Sequence, residues 1–248
     1  MVTLSVIIPA YNEAALVGET LASVRSAAKV LHPGLSTEVI VVDNGSSDAT
    51  RSIVLSAGGN VRVVDCGKRG AACARNQGAF ESRGEVLCFL DADTLLPKQA
   101  LVEALAAVGE RGMLAGIAPY CSRDGGWKSG LWWTFWNLVR CLPLPRAKAM
   151  PAFMFCTRAA FDEFGPFDER VAIGEEWPIL AGVYATRPRK LAYLWSLRIP
   201  TSSRRMELVR FGYVRLFVKY VWAVLAFRGR VQYDDSIRHA ATVPTDGA

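Results

Sequence analysis

The chain has 248 residues, 51% hydrophobic and 21% charged, and its 29 lysines and arginines outweigh 23 aspartates and glutamates to give a net charge of +6. That length and composition exclude global disorder and fit one large domain, or a domain with an extension. The basic balance, with a mean hydropathy of +0.19, suits an anionic partner such as a nucleotide, a phosphate or an acidic lipid headgroup; no basic groove-reading helix or aromatic–basic motif points to nucleic acid.

Residues 4–8 form a mostly apolar run rich in β-branched side chains and ended by Pro9. No basic region precedes it, so a strand is expected there and not a secretion signal. Asn12 stands where it would cap a helix reaching about Leu31, with Leu16, Leu21, Val24 and Ala28 on one side. Residues 39–42 read as a second strand closed by Asp43-Asn44-Gly45, after which Ser46 or Ser47 would cap a helix with Asp48 in its first turn. A third strand is expected over 61–64, a helix over 70–82 and a fourth strand over 86–90. Apolar strands separated by helices imply a parallel sheet covered on both faces.

Past residue 95 the pattern loosens. A helix is expected over 101–108, and strands over 113–119, 151–156 and 191–199. The stretch 128–142 holds Trp132, Trp133, Phe135 and Trp136, more rings than one buried face accepts, so partial exposure is expected, as an acceptor wall or an interfacial anchor. Residues 206–227 read as one amphipathic helix, with Glu207, Arg210, Arg215 and Lys219 on one half of the wheel and mostly apolar residues on the other. Packing onto the core and lying in a membrane interface are both open for it. Residues 231–248 read as a polar tail. No stretch reaches the ~18 apolar residues of a spanning helix. The six cysteines are scattered without C-x-x-C or zinc spacing, as expected for reduced thiols in the cytoplasm.

Chemistry gathers at the carboxyl ends of the strands, where ligands of open parallel sheets sit. Asp91-Ala92-Asp93 closes the fourth strand, and two adjacent acids there call for a hard cation shared with phosphate oxygens. Tyr11 offers a ring for a base and Asp43 an acceptor for a base N–H, whereas Asp65 reads as an ordinary turn. Lys68, Arg69 and Arg75 flank the start of the third helix, whose positive end suits a diphosphate.

Four segments, Ser5-Val6-Ile7-Ile8-Pro9-Ala10-Tyr11-Asn12-Glu13, Val41-Val42-Asp43-Asn44-Gly45-Ser46-Ser47-Asp48, Ala74-Arg75-Asn76-Gln77-Gly78-Ala79 and Phe89-Leu90-Asp91-Ala92-Asp93, resemble family 2 glycosyltransferases in order and spacing. The likeness continues more weakly through Gly165-Pro166-Phe167-Asp168-Glu169 and Gly174-Glu175-Glu176, and fades after about residue 180. The resemblance implies an α/β GT-A fold over residues 1–205, with a nucleotide-binding half (1–95) and an acceptor half (96–205), followed by the amphipathic helix over 206–230. It also implies inverting transfer from a nucleotide-diphosphate sugar, usually UDP-linked, to an acceptor hydroxyl, with Mn²⁺ or Mg²⁺ as cofactor. Pro9, Ala10, Tyr11 and Glu13 would line the nucleoside pocket and Asp43 would contact the base. Lys68, Arg75 and Ala92 would lie along the donor, Asp91 by the ribose or metal, and Asp93 on the metal.

Glu176 matches the family's base, as Glu where Asp is usual, with Glu175 and Asp168 as fallbacks. The histidine that many relatives supply to the metal has no counterpart, since His32 and His239 lie outside the motifs; Arg204 and Arg205, in Ser202-Ser203-Arg204-Arg205, would then help hold the diphosphate. A lipid-linked acceptor and peripheral contact with the cytoplasmic membrane face fit the aromatic cluster and terminal helix. A non-catalytic nucleotide-sugar-binding adaptor at a membrane surface is the alternative.

Overall fold

The computed structural model describes residues 4–148, 152–170, 175, 177–207 and 211–225. Its first half alternates as the pattern predicts: β1 (Leu4–Ala10), α1 (Val17–Ala28), β2 (Thr37–Asp43), α2 (Thr50–Ser56), β3 (Val61–Asp65), α3 (Ala71–Glu81) and β4 (Val86–Leu90). The second half adds α4 (Ala100–Gly109), β5 (Ala115–Ile117), β6 (Tyr120–Ser122), α5 (Trp127–Cys141), β7 (Phe153–Thr157), α6 (Arg158–Phe164), α7 (Trp177–Thr186), β8 (Leu191–Tyr193), β9 (Ile199–Thr201), α8 (Arg204–Glu207) and α9 (Gly212–Leu225).

Seven strands form one sheet in the order β3-β2-β1-β4-β7-β5-β8, parallel except for β7, which runs antiparallel between β4 and β5. The strands alternate side chains between two cores. Leu4, Val6 and Ile8 of β1 face α1, α4 and α5, while Ile7, with Leu87 and Phe89 of β4, faces α3, α6 and α7. From β1 the chain winds outward through β2 and β3, then returns to place β4 on the other side of β1. That reversal opens a crevice at the carboxyl ends of β1 and β4, the usual place for a ligand in such sheets.

Several local expectations need correction. Helix α1 starts at Val17, not after Asn12. Asn12 takes the left-handed conformation (φ 52°) and spends its side chain on the next loop, accepting from Ser47 N at 2.8 Å. Neither Ser46 nor Ser47 caps α2: Ser46 Oγ accepts from Asn12 N at 3.1 Å, and Asp48 accepts from Thr50 N at 2.9 Å. The run 191–199 yields two strands in different sheets, because β9 leaves β8 to pair in parallel with β6.

The aromatic stretch is helical, and three of its four rings are buried: Trp132 and Trp133 are 7% exposed, Trp136 4% and Phe135 42%. The Trp133 indole donates to Ser203 Oγ at 3.1 Å. Wrapped at 3.6 residues per turn, the rings divide between two faces, which the linear count of aromatics does not show. In place of one terminal helix there are two. Phe211 takes φ 59°, and a Cβ on Gly212 would lie 2.2 Å from the Met206 carbonyl oxygen, so α9 starts anew at Gly212. The stretch 226–248, including the proposed tail, lies outside the described residues.

Candidate active site

The floor of the crevice is the loop after β4. Thr20 Oγ1, from α1, donates to the Ala92 carbonyl at 2.8 Å, and Asp91 N donates to Ala152 O at 2.9 Å. The loop that carries the aspartates is thereby tied to α1 and to the residue just before β7. Asp91 is committed: Arg75 Nη2 lies 2.7 Å from its Oδ1, while Arg75 Nη1 lies 2.8 Å from Glu175 Oε1. Arg75 is buried and its guanidinium sits 5.7 Å from the Phe167 ring centroid.

Asp93 differs. Among the described residues no cation lies within ion-pair distance of its half-buried carboxylate, and Thr94 Oγ1, 3.3 Å away, turns its proton to Thr201. Its charge is therefore available to a ligand.

The nucleoside side of the crevice is made by two interlocked loops. Ala10 O accepts from Asn44 N at 2.8 Å, Glu13 N donates to Thr50 Oγ1 at 2.8 Å, and Ala14 N donates to Asp48 at 3.1 Å. Burial works against the Asp48 charge, yet the hydrogen bonds from Thr50 and Ala14 prevail and hold its carboxyl below the usual range. Pro9 and Ala10 close β1, with Ala10 buried. Asp43 is buried, accepts from Ser46 N at 3.0 Å and lies 3.6 Å from Arg51 Nη1. Asp65, the register partner of Asp43 on β3, is exposed and paired with the same Arg51.

The Arg69 guanidinium lies 5.5 Å from the centroid of the Tyr11 ring. Lys68, in contrast, reaches over to Glu169 at 3.2 Å. Between them Cys66 and Cys73 approach to 3.2 Å, and burial plus the hydrogen bond with Cys66 push the Cys73 thiol up to about 11.

The opposite rim is delivered by the small β6–β9 sheet. Leu95 N donates to Pro200 O at 2.8 Å and Thr94 Oγ1 to Thr201 Oγ1 at 2.8 Å, docking this sheet directly behind Asp93. Arg123, just after β6, reaches the Asp93 carbonyl at 3.4 Å and the Glu19 carboxylate. Arg204, which opens α8, lies 2.7 Å from Glu13, itself only 2% exposed; Arg205 follows in the same helix.

Behind Arg75, Asn76 holds the Gly165–Glu169 turn: it accepts from Phe167 N at 2.8 Å and donates to Phe167 O and to Glu169 at 3.0 Å each. That bond from Asn76, helped by Lys68, holds the Glu169 carboxyl below its usual range. Asp168 pairs with Arg170, which lowers its carboxyl likewise.

The structure thus brings Tyr11, Glu13, Arg75, Asp91, Asp93, Glu175 and Arg204 around one crevice. It leaves Lys68 on Glu169, and Glu176 lies outside the described residues. His32 precedes β2, at the opposite edge of the sheet from Asp93. The sequence reading passed over Arg123, Asn76 and Thr20. Only for Asn76 was there a local signal, its place directly after Arg75.

A family model described as glycosyl transferase family 2 matches residues 5–169. Glycosyltransferase AglE of Haloferax volcanii is 29% identical over 177 residues, covering 68% of this chain and 57% of that protein, so the chain spans little more than half of this relative. Among solved structures, the mannosyltransferase PcManGT from Pyrobaculum calidifontis, in complex with GDP-Man and Mn²⁺, superposes with a TM-score of 0.65 at 20% identity, over 96% of this chain and 68% of that one. S. aureus TarS 1–349 in complex with UDP-GlcNAc gives 0.62 at 19%, over 96% and 70%. These likenesses agree with the mixed, mostly parallel sheet of the GT-A fold.

Proposed function

Because the chain belongs to glycosyl transferase family 2, we propose that it moves a sugar from a nucleotide-diphosphate donor, UDP-linked first among the candidates, to an acceptor hydroxyl with inversion. The observation that carries this reading is Asp93, a carboxylate left without an ion-pair partner among the described residues at the reversal of strand order, beside an Asp91 already neutralised by Arg75. Solved neighbours carry GDP-Man and UDP-GlcNAc in the same fold, which supports a nucleotide-sugar partner.

The donor set fits a hard divalent cation, Mn²⁺ or Mg²⁺, because carboxylate oxygens are its preferred ligands. Among the described residues no group of three His, Cys, Asp or Glu side chains gathers to hold a metal, so Asp93 would be the main protein ligand, with diphosphate and water completing the shell. When bound, the cation supplies positive charge against the charge that grows on the departing β-phosphate.

The chain's own residues do the rest. Tyr11 and Asp43 would meet the base, and Arg204, released from Glu13, would meet the diphosphate. As the acceptor oxygen bonds to the anomeric carbon, the bond from that carbon to the diphosphate oxygen breaks and the hydroxyl proton passes to a carboxylate. Glu175 is tied to Arg75, so Glu176 is the proposed base. Residues 1–95 would act as the donor half and 96–205 as the acceptor half.

The test is a thermal-shift panel of UDP, GDP, CDP and ADP with and without Mn²⁺, followed by nucleotide release from the matching sugar donors. One nucleotide should raise the melting temperature mainly with metal, and Asp93→Asn should lose both the shift and the release. Equal shifts and equal release from the Asp93→Asn protein would overturn the reading.

A further inference from the structure

Large apolar side chains left in water are concentrated in one region. Of the fifteen among the described residues, ten fall within 127–144 and 211–218. On α5 they are Trp127, Leu131, Phe135 and Leu138, at spacings of four, four and three, with Leu142 just past its end. At about 100° per residue these positions share a stripe roughly 80° wide, along the whole outer face of the helix. The inner face of the same helix already buries Trp132, Trp133 and Trp136, so the outer stripe has no role in the core.

Helix α9 continues the stripe sideways. Phe217 packs on Phe135 with ring centroids 5.5 Å apart, and Val214 and Val218 are exposed beside it.

Among the described residues the exposed charge on α5 and α9 themselves is basic, with Asp124 and Glu207 at the margins and Arg140 and Lys148 buried. Residues 125–161 contain no acid and five basic residues, and residues 208–233 again no acid and five basic residues. Lys128 and Arg215 are exposed on the two helices, and the Lys128 amine lies 5.8 Å from the centroid of the Trp127 ring.

Two occupants suit an apolar stripe: a second copy and a bilayer. A symmetric dimer sets the same patch against itself, and here that brings basic groups together with no acid in either stretch to offset them. An anionic bilayer offers the opposite sign at the headgroups and an apolar boundary just beneath, where tryptophan is well placed.

We propose that the α5–α9 face seats the protein on an anionic bilayer, with the Trp127–Leu142 stripe in the acyl boundary and Lys128 and Arg215 at the headgroups. Seating does not depend on the transfer reading; its consequence for the acceptor does. Trp127 follows four residues after Arg123, which bonds the Asp93 carbonyl, so the seated face runs up to the rim of the crevice. The acceptor would then be a hydroxyl compound carried on a lipid.

The test is flotation of the full chain with vesicles of phosphatidylglycerol and phosphatidylcholine, and with phosphatidylcholine alone. Binding should be at least about tenfold stronger to the anionic vesicles and weaken with salt. Leu131→Gln with Leu138→Gln, both at exposed positions, should reduce it about tenfold or more while the nucleotide-induced thermal shift is kept.

No flotation of the native chain with either vesicle, or equal flotation of the native and doubly substituted chains, overturns the proposal. So does a native dimer that the double substitution turns into a monomer without vesicle binding, which would assign the face to a second copy. Loss of the nucleotide shift with flotation intact would count against the transfer reading alone.

Discussion

Arg75 is the residue on which most of the crevice depends, because one buried guanidinium holds a carboxylate from each half of the chain. Removing it leaves the charge of Glu175, whose side chain is only 13% exposed, uncompensated, while Asp91, about a third exposed, keeps some solvent screening. Arg75→Ala should therefore cost about 2–3 kcal/mol in urea unfolding, and Arg75→Lys should recover only part, since an ammonium does not reproduce the two-pronged geometry. Asn76 makes a second prediction, with a pH dependence. The Glu169 carboxyl it holds titrates below its ordinary value of 4.5, so its contribution is complete above about that pH and is lost as the pH falls further. The melting-temperature difference between the native chain and Glu169→Gln should accordingly shrink from pH 6 to pH 3; a constant difference would remove the electrostatic account. Asp91 and Asp93 were legible in the sequence because a buried run and the acids that end it are adjacent in the chain. Arg123 was not, since its place behind Asp93 follows from pairing between β6 and β9, nearly eighty residues apart.

Helix α3 shows how tightly the elements are fitted. A Cβ on Gly78 would lie 2.4 Å from Ile7 Cγ2 and 3.0 Å from Val42 Cγ2, so α3 rests directly on β1 and β2. Gly78→Ala should cost about 1–3 kcal/mol despite the better helix propensity of alanine; a gain in stability would show that α3 can lift off the sheet. Up to residue 95 the strands were readable as apolar runs and α1 by its apolar spacing, with the short stretches between them left to helices. Of the later elements α4 and the strand β7 were readable too, but the arrangement of that half was not. The antiparallel β7 enters the middle of the sheet, the 191–199 run divides between two sheets, and α5 is apolar on two faces at once. In each case a long-range partner, and not the local pattern, decides the outcome.

Taken together, the two halves are joined across the crevice by Arg75 with Glu175 and by Arg204 with Glu13, pairs separated by 100 and 191 residues. The second can be measured by a double-mutant cycle. Arg204→Gln and Glu13→Gln should each lower stability by about 1–2 kcal/mol, and together by less than their sum. Strict additivity would mean that the two side chains do not interact in solution. The β6–β9 sheet has a consequence in time. Synthesis runs from the N-terminus and early segments begin to fold first, so β1 to β4 can assemble while the far rim of the crevice is still inside the ribosome. Thr201 and Arg204, which complete that rim, are made more than a hundred residues after Asp93. The nascent protein therefore carries an open, one-sided cleft until that distant stretch has emerged and folded back onto it.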